Sequence, residues 1–540
     1  MIPRLELPPS RAVLVLVALA FALPGLVGHD PWKSFDAIAI EIVSQMHRTG
    51  DWLVPRIAGE PWIEDPPFYH WVALAFAKAF GWLLPLHGAV RLASGFFVLA
   101  ALWFVYLAAR HSAPPAERRA TAGGAVLVLA GSIGLIVHAH EAVTDLAALA
   151  AACAAFVFLS RAEHRPLAAG IGLGASLGIA LLSAGPVTPA VLGLAVLAAH
   201  LACRPLRTPR ALPFLGATLA AGAVVAASWP LVLAARAPDL AAQWWSLVTQ
   251  PRGAFLGNLR YYAVTASWFT WPAWPLALWA LWSKRTALLE PRMFVPLAAL
   301  VLALGGIALA GPQQDINCVV LLPPLALLAA QGIGVLRRGA ANALDWFGVM
   351  TFSFFAALVW LGYVAMMTGV PARIAKNFTR AAPGFAPQFE LFPVLVALAL
   401  LLGWMILVGW TRPAPTRGVL RWAGGVALLW GSFATLWLPW ADYQKSYRAV
   451  ALQLRSKLPP QATCVARSSL GSAQRAALGY HAEIRTQPFD RSKPAACPFV
   501  IVQGDPRHER DAPGAGWVKL ADVGRPHDRN ERFRLYQYRP

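Results

Sequence analysis

The stretch "GHDPWKSFDAIAIEIVSQMHRTGDWLVPRIAGEPWIEDPPFYHW", Gly28–Trp71, directly follows the first apolar run of the chain. It holds seven of the chain's 26 acids (Asp30, Asp36, Glu41, Asp51, Glu60, Glu64 and Asp65) next to a segment that reads as a membrane helix. Carboxylates at a membrane face are costly to desolvate, so a cluster of them there points to function before it points to packing. Asp51 and Glu60, in "TGDWLVPRIAGEPW", suit a solvated turn. Asp36 does not, because it is the single acid of "SFDAIAI" and leads into an apolar segment expected to lie on the membrane surface. A carboxylate held at the edge of a cavity there would serve as a general base.

The chain around this stretch is built for a bilayer. Of its 540 residues 58% are hydrophobic and only 13% charged, with a mean hydropathy of +0.53, more apolar than a soluble core of this size needs. Apolar windows of membrane-crossing length recur near residues 11–27, 87–109, 120–137, 143–160, 167–184, 186–203, 211–235, 262–282, 293–310, 317–336, 345–369, 389–410 and 419–438. The expectation is an all-α polytopic membrane protein of about thirteen transmembrane helices. The first window follows Arg4 and Arg11 and resembles a signal peptide, but the many later spans favour a retained helix.

Alternate loops such as "RHSAPPAERRA", "CRPLRTPR", "SKRTALLEPRM" and "TRPAPTRGVLR" are rich in arginine, and the loops between them are not. The positive-inside rule then places the N-terminus in the cytoplasm and the acid-rich loop on the external side, "GVPARIAKNFTRAAPG" being the exception. The net charge of +20 reads as a topology signal and contact with anionic lipids, not as a nucleic-acid surface.

Residues 441–540 change character. "YQKSYRAVALQLRSKL" has helical spacing of apolar residues, "FVIVQGD" is a short apolar run, and "FRLYQY" has the look of an edge strand. A small periplasmic α/β domain is expected there, after a transmembrane domain over 1–440. Cys153, Cys203 and Cys318 fall in or beside spans. Cys464 and Cys497 fall in the terminal domain, where an oxidising compartment favours a disulfide.

In "GDWLVPR", "GEPW" and "EDPPFYHW" the opening stretch resembles the first external loop of the polyprenyl-phosphate-dependent glycosyltransferases. These form the membrane C-type (GT-C) superfamily that includes protein O-mannosyltransferases and the lipid A aminoarabinose transferase. "HEAVTDLAALAAACAAF" is similar to that family's segment with an Asp at the start of the fourth span, and "LGIALLSAGPVTPAVLGL" to its "LTKGP" turn. "RYYAVTASWFTWPAWPLAL" resembles its aromatic stretch, and "INCVVLLPPLALLAA" its "YLLPLxPALALL" span. The likeness runs in order over roughly residues 10–440. Three positions depart from the pattern. Phe35 stands in the family's Asp slot with Asp36 in its Glu slot, Asp65 replaces a phosphate-binding lysine, and Ala184 replaces the lysine of "TKGP".

The resemblance implies inverting transfer of a sugar from a polyprenyl-phosphate carrier to a periplasmic acceptor: a lipid A-type glycolipid, another glycan or a protein. Asp36 would take the acceptor proton or orient the acceptor, with Asp145 opposite holding sugar hydroxyls or a water-bridged cation. Lys33, Arg91 and Arg260 would meet the lipid phosphate. Glu64, Asp65, Tyr69, Tyr261 and Tyr262 would line the donor and acceptor site. Trp244, Trp245, Trp268, Trp271 and Trp274 are aromatic enough for stacking, but interfacial belts are rich in such residues anyway. A divalent metal ion is a candidate cofactor, with Glu64, His138, His140 and Glu141 as ligands of suitable chemistry. No dinucleotide or Walker motif is present, so a nucleotide-sugar donor is not indicated. The rival readings are a transporter or flippase of a lipid-linked sugar and a non-catalytic relative.

Overall fold

The computed structural model describes residues 9–250, 253–460, 462, 464–490, 497–505, 513–526, 528 and 530–539. Arg4, named above, lies outside them. The first apolar run forms α1 (Arg11–Ala22), whose Ser10 hydroxyl accepts a hydrogen bond from the Val13 amide and so satisfies an orphan donor of the first turn. The helix stops short of residue 27, at "PGLVG". Gly25 takes φ +91 there, and a Cβ on it would stand 3.1 Å from the Trp430 ring.

The acid-rich segment folds as α2 (Phe35–Thr49), a two-residue hairpin of β1 (Arg56–Ile57) and β2 (Glu60–Pro61), and α3 (Phe68–Phe80), which begins right after Pro66–Pro67. The bundle continues with α4 (Leu86–Ser112), α5 (Arg118–Ala130), the single turn α6 (Leu135–His138), α7 (Asp145–Leu159), α8 (Pro166–Ala184) and α9 (Val187–Ala202). Then come α10 (Ala211–Arg236), α11 (Pro238–Thr249), α12 (Phe255–Phe269), α13 (Ala273–Ser283), α14 (Pro291–Ala310) and α15 (Leu322–Ile333). The last helices of the bundle are α16 (Arg338–Thr368), α17 (Ala372–Ala381), α18 (Leu391–Trp410) and α19 (Arg417–Leu436).

Among the described residues eight helices are long and apolar enough to cross a membrane, while α1, α7 and α9 are apolar but shorter. The window at 262–282 is not one helix. It is split between α12 and α13 at Pro272, whose missing N–H cannot continue the helical hydrogen bonds. The exceptional arginine-bearing loop holds α17, an exposed helix with no buried residue.

α2 leaves no apolar face free for a membrane surface. Residues 36–46 are all buried, the polar Asp36, Glu41, Ser44 and Gln45 among them, because the helix is covered by α3, α4, β1 and a helix of the C-terminal segment. Gly50, at φ +72, ends it in the left-handed conformation favoured by glycine.

After α19 the chain forms α20 (Leu438–Lys445), α21 (Arg448–Lys457), β3 (Val465–Ser468), α22 (Ser472–Ala482), β4 (Gln487–Pro488), β5 (Phe499–Gly504), β6 (Trp517–Val523) and β7 (Arg532–Tyr538). The sheet order is β4-β3-β5-β7-β6, with β3 parallel to both its neighbours and the other pairs antiparallel. "FRLYQY" is therefore an interior strand rather than an edge. Both its faces are covered, which its alternation of Phe533 and Leu535 with Arg534 and Tyr536 conceals. Phe499, Ile501, Phe533 and Leu535 pack under α21 and α22, while Val500, Val502 and Tyr536 face the other way, as a period of two requires.

Cys464 and Cys497 are bridged, with Cα atoms 5.2 Å apart. The bond ties the approach to β3 to the start of β5 and closes a loop of 33 residues, for which chain entropy gives about 3–4 kcal/mol. Cys464→Ser with Cys497→Ser is expected to lower the unfolding temperature of the sheet unit. Differential scanning with and without reductant checks this, since the doubly substituted protein should no longer respond to reduction.

The first loop and the sheet unit are clamped together. Glu60 accepts from Arg467 at 2.7 and 2.8 Å and from Arg475 at 2.6 Å. Gly479 of α22 packs so closely on α2 that a Cβ there would stand 2.7 Å from Glu41 Oε1. Burial pushes the Glu41 carboxyl up to about 7, against bonds from Gln45 and the Ala58 amide. Since this value lies above the ordinary 4.5, the stabilisation Glu41 gives is complete below the ordinary value and is lost as pH rises through about 7. The protection of α22 against hydrogen exchange, corrected for the intrinsic rise of exchange with pH, should therefore fall between about pH 4.5 and 7 and level off above, a fall flattened in Glu41→Gln.

Candidate functional site

A cavity of about 330 Å³ opens where the start of α2 and residues 62–65 face the first turns of α7 and α9, the end of α14 and the residues before α15. Three carboxylates line it: Glu64, Asp65 and Asp145. Asp145 is the first residue of α7, where the helix dipole favours a negative charge. Pro66–Pro67 directly follow Glu64 and Asp65 and restrict the backbone at Asp65 and at the prolines themselves. The Trp62 indole N–H donates to Asp65 Oδ2 at 2.9 Å. Burial, together with the neighbouring Glu64 charge, pushes the Asp65 carboxyl up to about 6.

Apolar wall comes from Leu149, Val187, Ile307 and Val319. Asn317 also faces the cavity. Its Nδ2 donates to the Tyr262 hydroxyl at 2.8 Å, and that hydroxyl donates to the Pro312 carbonyl at 2.6 Å. Tyr262 is thus a strut behind the wall, and Tyr261 packs beside it.

Asp36 is not in this cavity. It is fully buried, and both its oxygens are occupied. Oδ1 accepts from Arg91 Nε at 2.9 Å and the Ala142 amide at 2.8 Å, while Oδ2 accepts from Arg91 Nη2 at 2.6 Å and the Trp32 amide at 2.9 Å. Burial alone would raise its carboxyl, but the Arg91 charge and these bonds hold it below the ordinary carboxylate range. A carboxylate so saturated and so acidic is a poor proton acceptor, so the expectation that Asp36 is the base is corrected to a structural ion pair. Arg91 is corrected with it. Four of its five N–H groups go to Asp36 and to the His29 and Asp30 carbonyls, and it has no exposed surface at which a lipid phosphate could meet it. The neighbouring Phe35, in the family's Asp slot, is the residue that faces the cavity, as Ala184 does in the lysine slot.

The other expected site residues separate as well. Tyr69 is buried, its hydroxyl 2.7 Å from Ser94 Oγ, and is a packing residue. Lys33 is half exposed and pairs with Glu531 at 3.8 Å. Arg260 is exposed and away from the cavity lining.

The four metal-ligand candidates do not converge. His140 is buried with its ring nitrogens 2.6 and 2.7 Å from the Ile136 and Phe21 carbonyls. His138 meets Glu141 at 3.3 Å and Asp315 at 3.7 Å, while Glu64 lies in the cavity wall. Among the described residues no group of three or more His, Cys, Asp or Glu side chains is placed to hold an ion. Burial disfavours the charged form of His138, but its two carboxylate partners win and push it up to about 9. It is a cation at neutral pH, near enough for its charge to act on Asp145.

Several polar lining residues escaped the sequence reading, Asn317 and Ser472 among them. Asn317 sits in "GPQQDIN", a polar turn between apolar runs that was signal enough. Ser472, at the start of α22, comes from the sheet unit, and nothing local in its sequence announces that.

No family model matches the chain, and no curated protein sequence matches it. Among solved structures, ArnT from Cupriavidus metallidurans in the apo state superposes with a TM-score of 0.68 at 18% identity, covering 97% of each chain. The fold is that of ArnT. The same protein bound to undecaprenyl phosphate superposes at 0.66 and 19% identity, over 97% of this chain and 96% of that one. At these coverages the likeness takes in the acid-rich loop, the bundle and most of the sheet unit together. An oligosaccharyltransferase from Archaeoglobus fulgidus aligns more loosely, with a TM-score of 0.46 at 14% identity over 88% of this chain and 64% of that one.

Proposed function

We propose that the protein is an inverting glycosyltransferase that moves a sugar from a polyprenyl-phosphate carrier to an acceptor, of which a lipid A-type glycolipid is the class its sequence resemblance favours. The observation that carries this reading is the meeting of Glu64, Asp65 and Asp145 in one cavity with an apolar wall, in the fold of a protein that binds undecaprenyl phosphate.

In the proposed step the acceptor oxygen bonds to the anomeric carbon while the bond from that carbon to the phosphate oxygen breaks. Polyprenyl phosphate leaves with the bonding electrons. Asp145, not Asp36, takes the acceptor proton, and Glu64 and Asp65 hold sugar hydroxyls. The carrier's isoprenoid chain lies along the apolar wall. No step is routed through a metal ion, since the donors present do not converge on one.

The membrane arrangement belongs to the same proposal: thirteen spans over 1–440 in a bacterial inner membrane, the N-terminus cytoplasmic, and both the cavity and the 441–540 unit periplasmic. A reporter fused after the C-terminus should be active only in the periplasm.

Purified protein in proteoliposomes, given a panel of polyprenyl-phosphate sugars, should release polyprenyl phosphate with at least one of them. Binding of a donor without release, across the panel, would instead support a second reading as a non-catalytic relative. That reading is favoured by Phe35 and Ala184, which face the cavity where the family pattern has an acid and a lysine. Sugar appearing in the lumen still attached to its carrier would point to the transporter reading.

A further inference from the structure

The loop that breaks the arginine pattern carries its cations on one side of a helix. α17 holds Arg373, Lys376 and Arg380. At about 100° per residue these three fall within roughly 60° of one another around the axis. Ile374, Ala375 and Phe378 fall on the opposite side, and that side is anchored. The Phe378 ring stands 4.9 and 5.0 Å from the rings of Trp437 and Trp440, and the Tyr443 hydroxyl donates to the Pro383 carbonyl just beyond the helix. All three cations are exposed, and none has an ion pair among the described residues. The loop supplies no counter-charge of its own, since residues 369–389 include no Asp or Glu.

This face stands at the membrane edge. α16, long and apolar enough to cross, ends at Thr368, and α18, equally so, starts at Leu391. α17 therefore begins three residues beyond the end of one span. Val370, Phe389, Leu391 and Phe392, on either side of it, are apolar and 61–77% exposed, a surface that acyl chains cover better than water does. α20, which holds Trp440, is bonded in turn to the first loop. Asp442 accepts from the Asp30 amide at 3.0 Å and from the Trp32 indole at 2.8 Å. α17 thus shares the end of the bundle that carries the first loop. In the proposed arrangement that end is external, where the positive-inside rule gives cations no part in setting topology.

We propose that α17 is a binding face for anionic phospholipid of the phosphatidylglycerol class in the leaflet at this end of the bundle. The lipid phosphates meet Arg373, Lys376 and Arg380, while Phe378 keeps the helix seated on Trp437 and Trp440. Charge complementarity selects the lipid. A zwitterionic headgroup brings its own ammonium against the three cations, whereas an anionic one brings net negative charge to a face that has no acid of its own.

The test reads the lipids around α17 alone, apart from those drawn to the arginine-rich loops at the other end. Asn377 is exposed beside the cations, and the free cysteines of the described residues are buried, so Asn377→Cys takes a fluorophore selectively. The full-length labelled protein is placed in nanodiscs of one fixed mixture of phosphatidylglycerol and phosphatidylcholine, in which either one lipid or the other carries a quenching spin label near its headgroup. Phosphatidylglycerol should be enriched at the probe by about tenfold at low salt, within what three cations at about fivefold each can supply, and less at high salt. Arg373→Gln with Lys376→Gln and Arg380→Gln should bring the ratio to about one, and Arg373→Lys with Arg380→Lys should retain it. The substituted side chains are exposed, so the seat of Phe378 is untouched. Equal quenching by the two lipids, quenching by neither, or a preference that survives the triple glutamine substitution would each overturn the proposal. The readout is neighbouring lipid, so it stands or falls separately from sugar transfer.

Discussion

Arg91→Ala is expected to abolish the folded protein. The substitution strands the Asp36 carboxylate, which has no exposed surface, and also removes the donors to the His29 and Asp30 carbonyls. Breaking a buried ion pair from one side costs about 3–5 kcal/mol, a large part of the roughly 5–15 kcal/mol by which proteins are stable at all. The yield of monodisperse protein after extraction and its unfolding temperature measure the effect. Replacing both partners together, as Asp36→Leu with Arg91→Met, should recover much of the loss, because no lone charge is then left inside. Asp36→Asn separates the structural role from a catalytic one. Its activity should fall only as far as its folded fraction falls, and a selective loss of turnover per folded molecule would restore Asp36 as a base.

Asp145→Asn should have the opposite signature. The amide keeps the shape of the side chain at the start of α7, so the protein folds, but the proton acceptor facing the cavity is gone. Turnover per folded molecule is expected to drop by about a hundredfold or more, the usual scale for a general base, with donor binding much less affected. Undiminished turnover would remove Asp145 from the chemistry. Asp65 adds a pH arm. A carboxyl pushed up to about 6 is ionised above that value, so activity should decline as pH falls through about 6; in Asp65→Asn this acid limb should move without vanishing, because the base Asp145 must still be ionised.

The sequence carried some of this plainly and hid the rest for physical reasons. An apolar segment after Asp36 was legible, but neither its helical form nor its place was. A mostly apolar segment fits a membrane surface as well as a buried sandwich, and only the arrival of α22, from more than four hundred residues later, buries it. The same distance effect hid the role of Asp36. Its partner Arg91 is 55 residues away, and whether an acid at the head of α2 faces a cavity or a guanidinium depends on a rotation that spacing does not record. Glu64, Asp65 and Asp145 were easier, because loop topology alone puts them at one end of the bundle. The interior position of β7 was masked by Arg534, whose charge suggests solvent yet is buried beside Asp522.

Ser472 has a consequence for how the molecule comes into being. Because a residue of α22 forms part of the cavity wall, and Glu60 is locked to arginines of β3 and α22, the site is finished late. A ribosome that has made the whole bundle has still not made an enclosed cavity. That closes only once the chain has passed β7 and the sheet has wrapped its helices. Glu64, Asp65 and Asp145 are thus laid down in the first third of the chain and enclosed only at its end, and the growing protein holds them in an open, unfinished cleft for most of its synthesis.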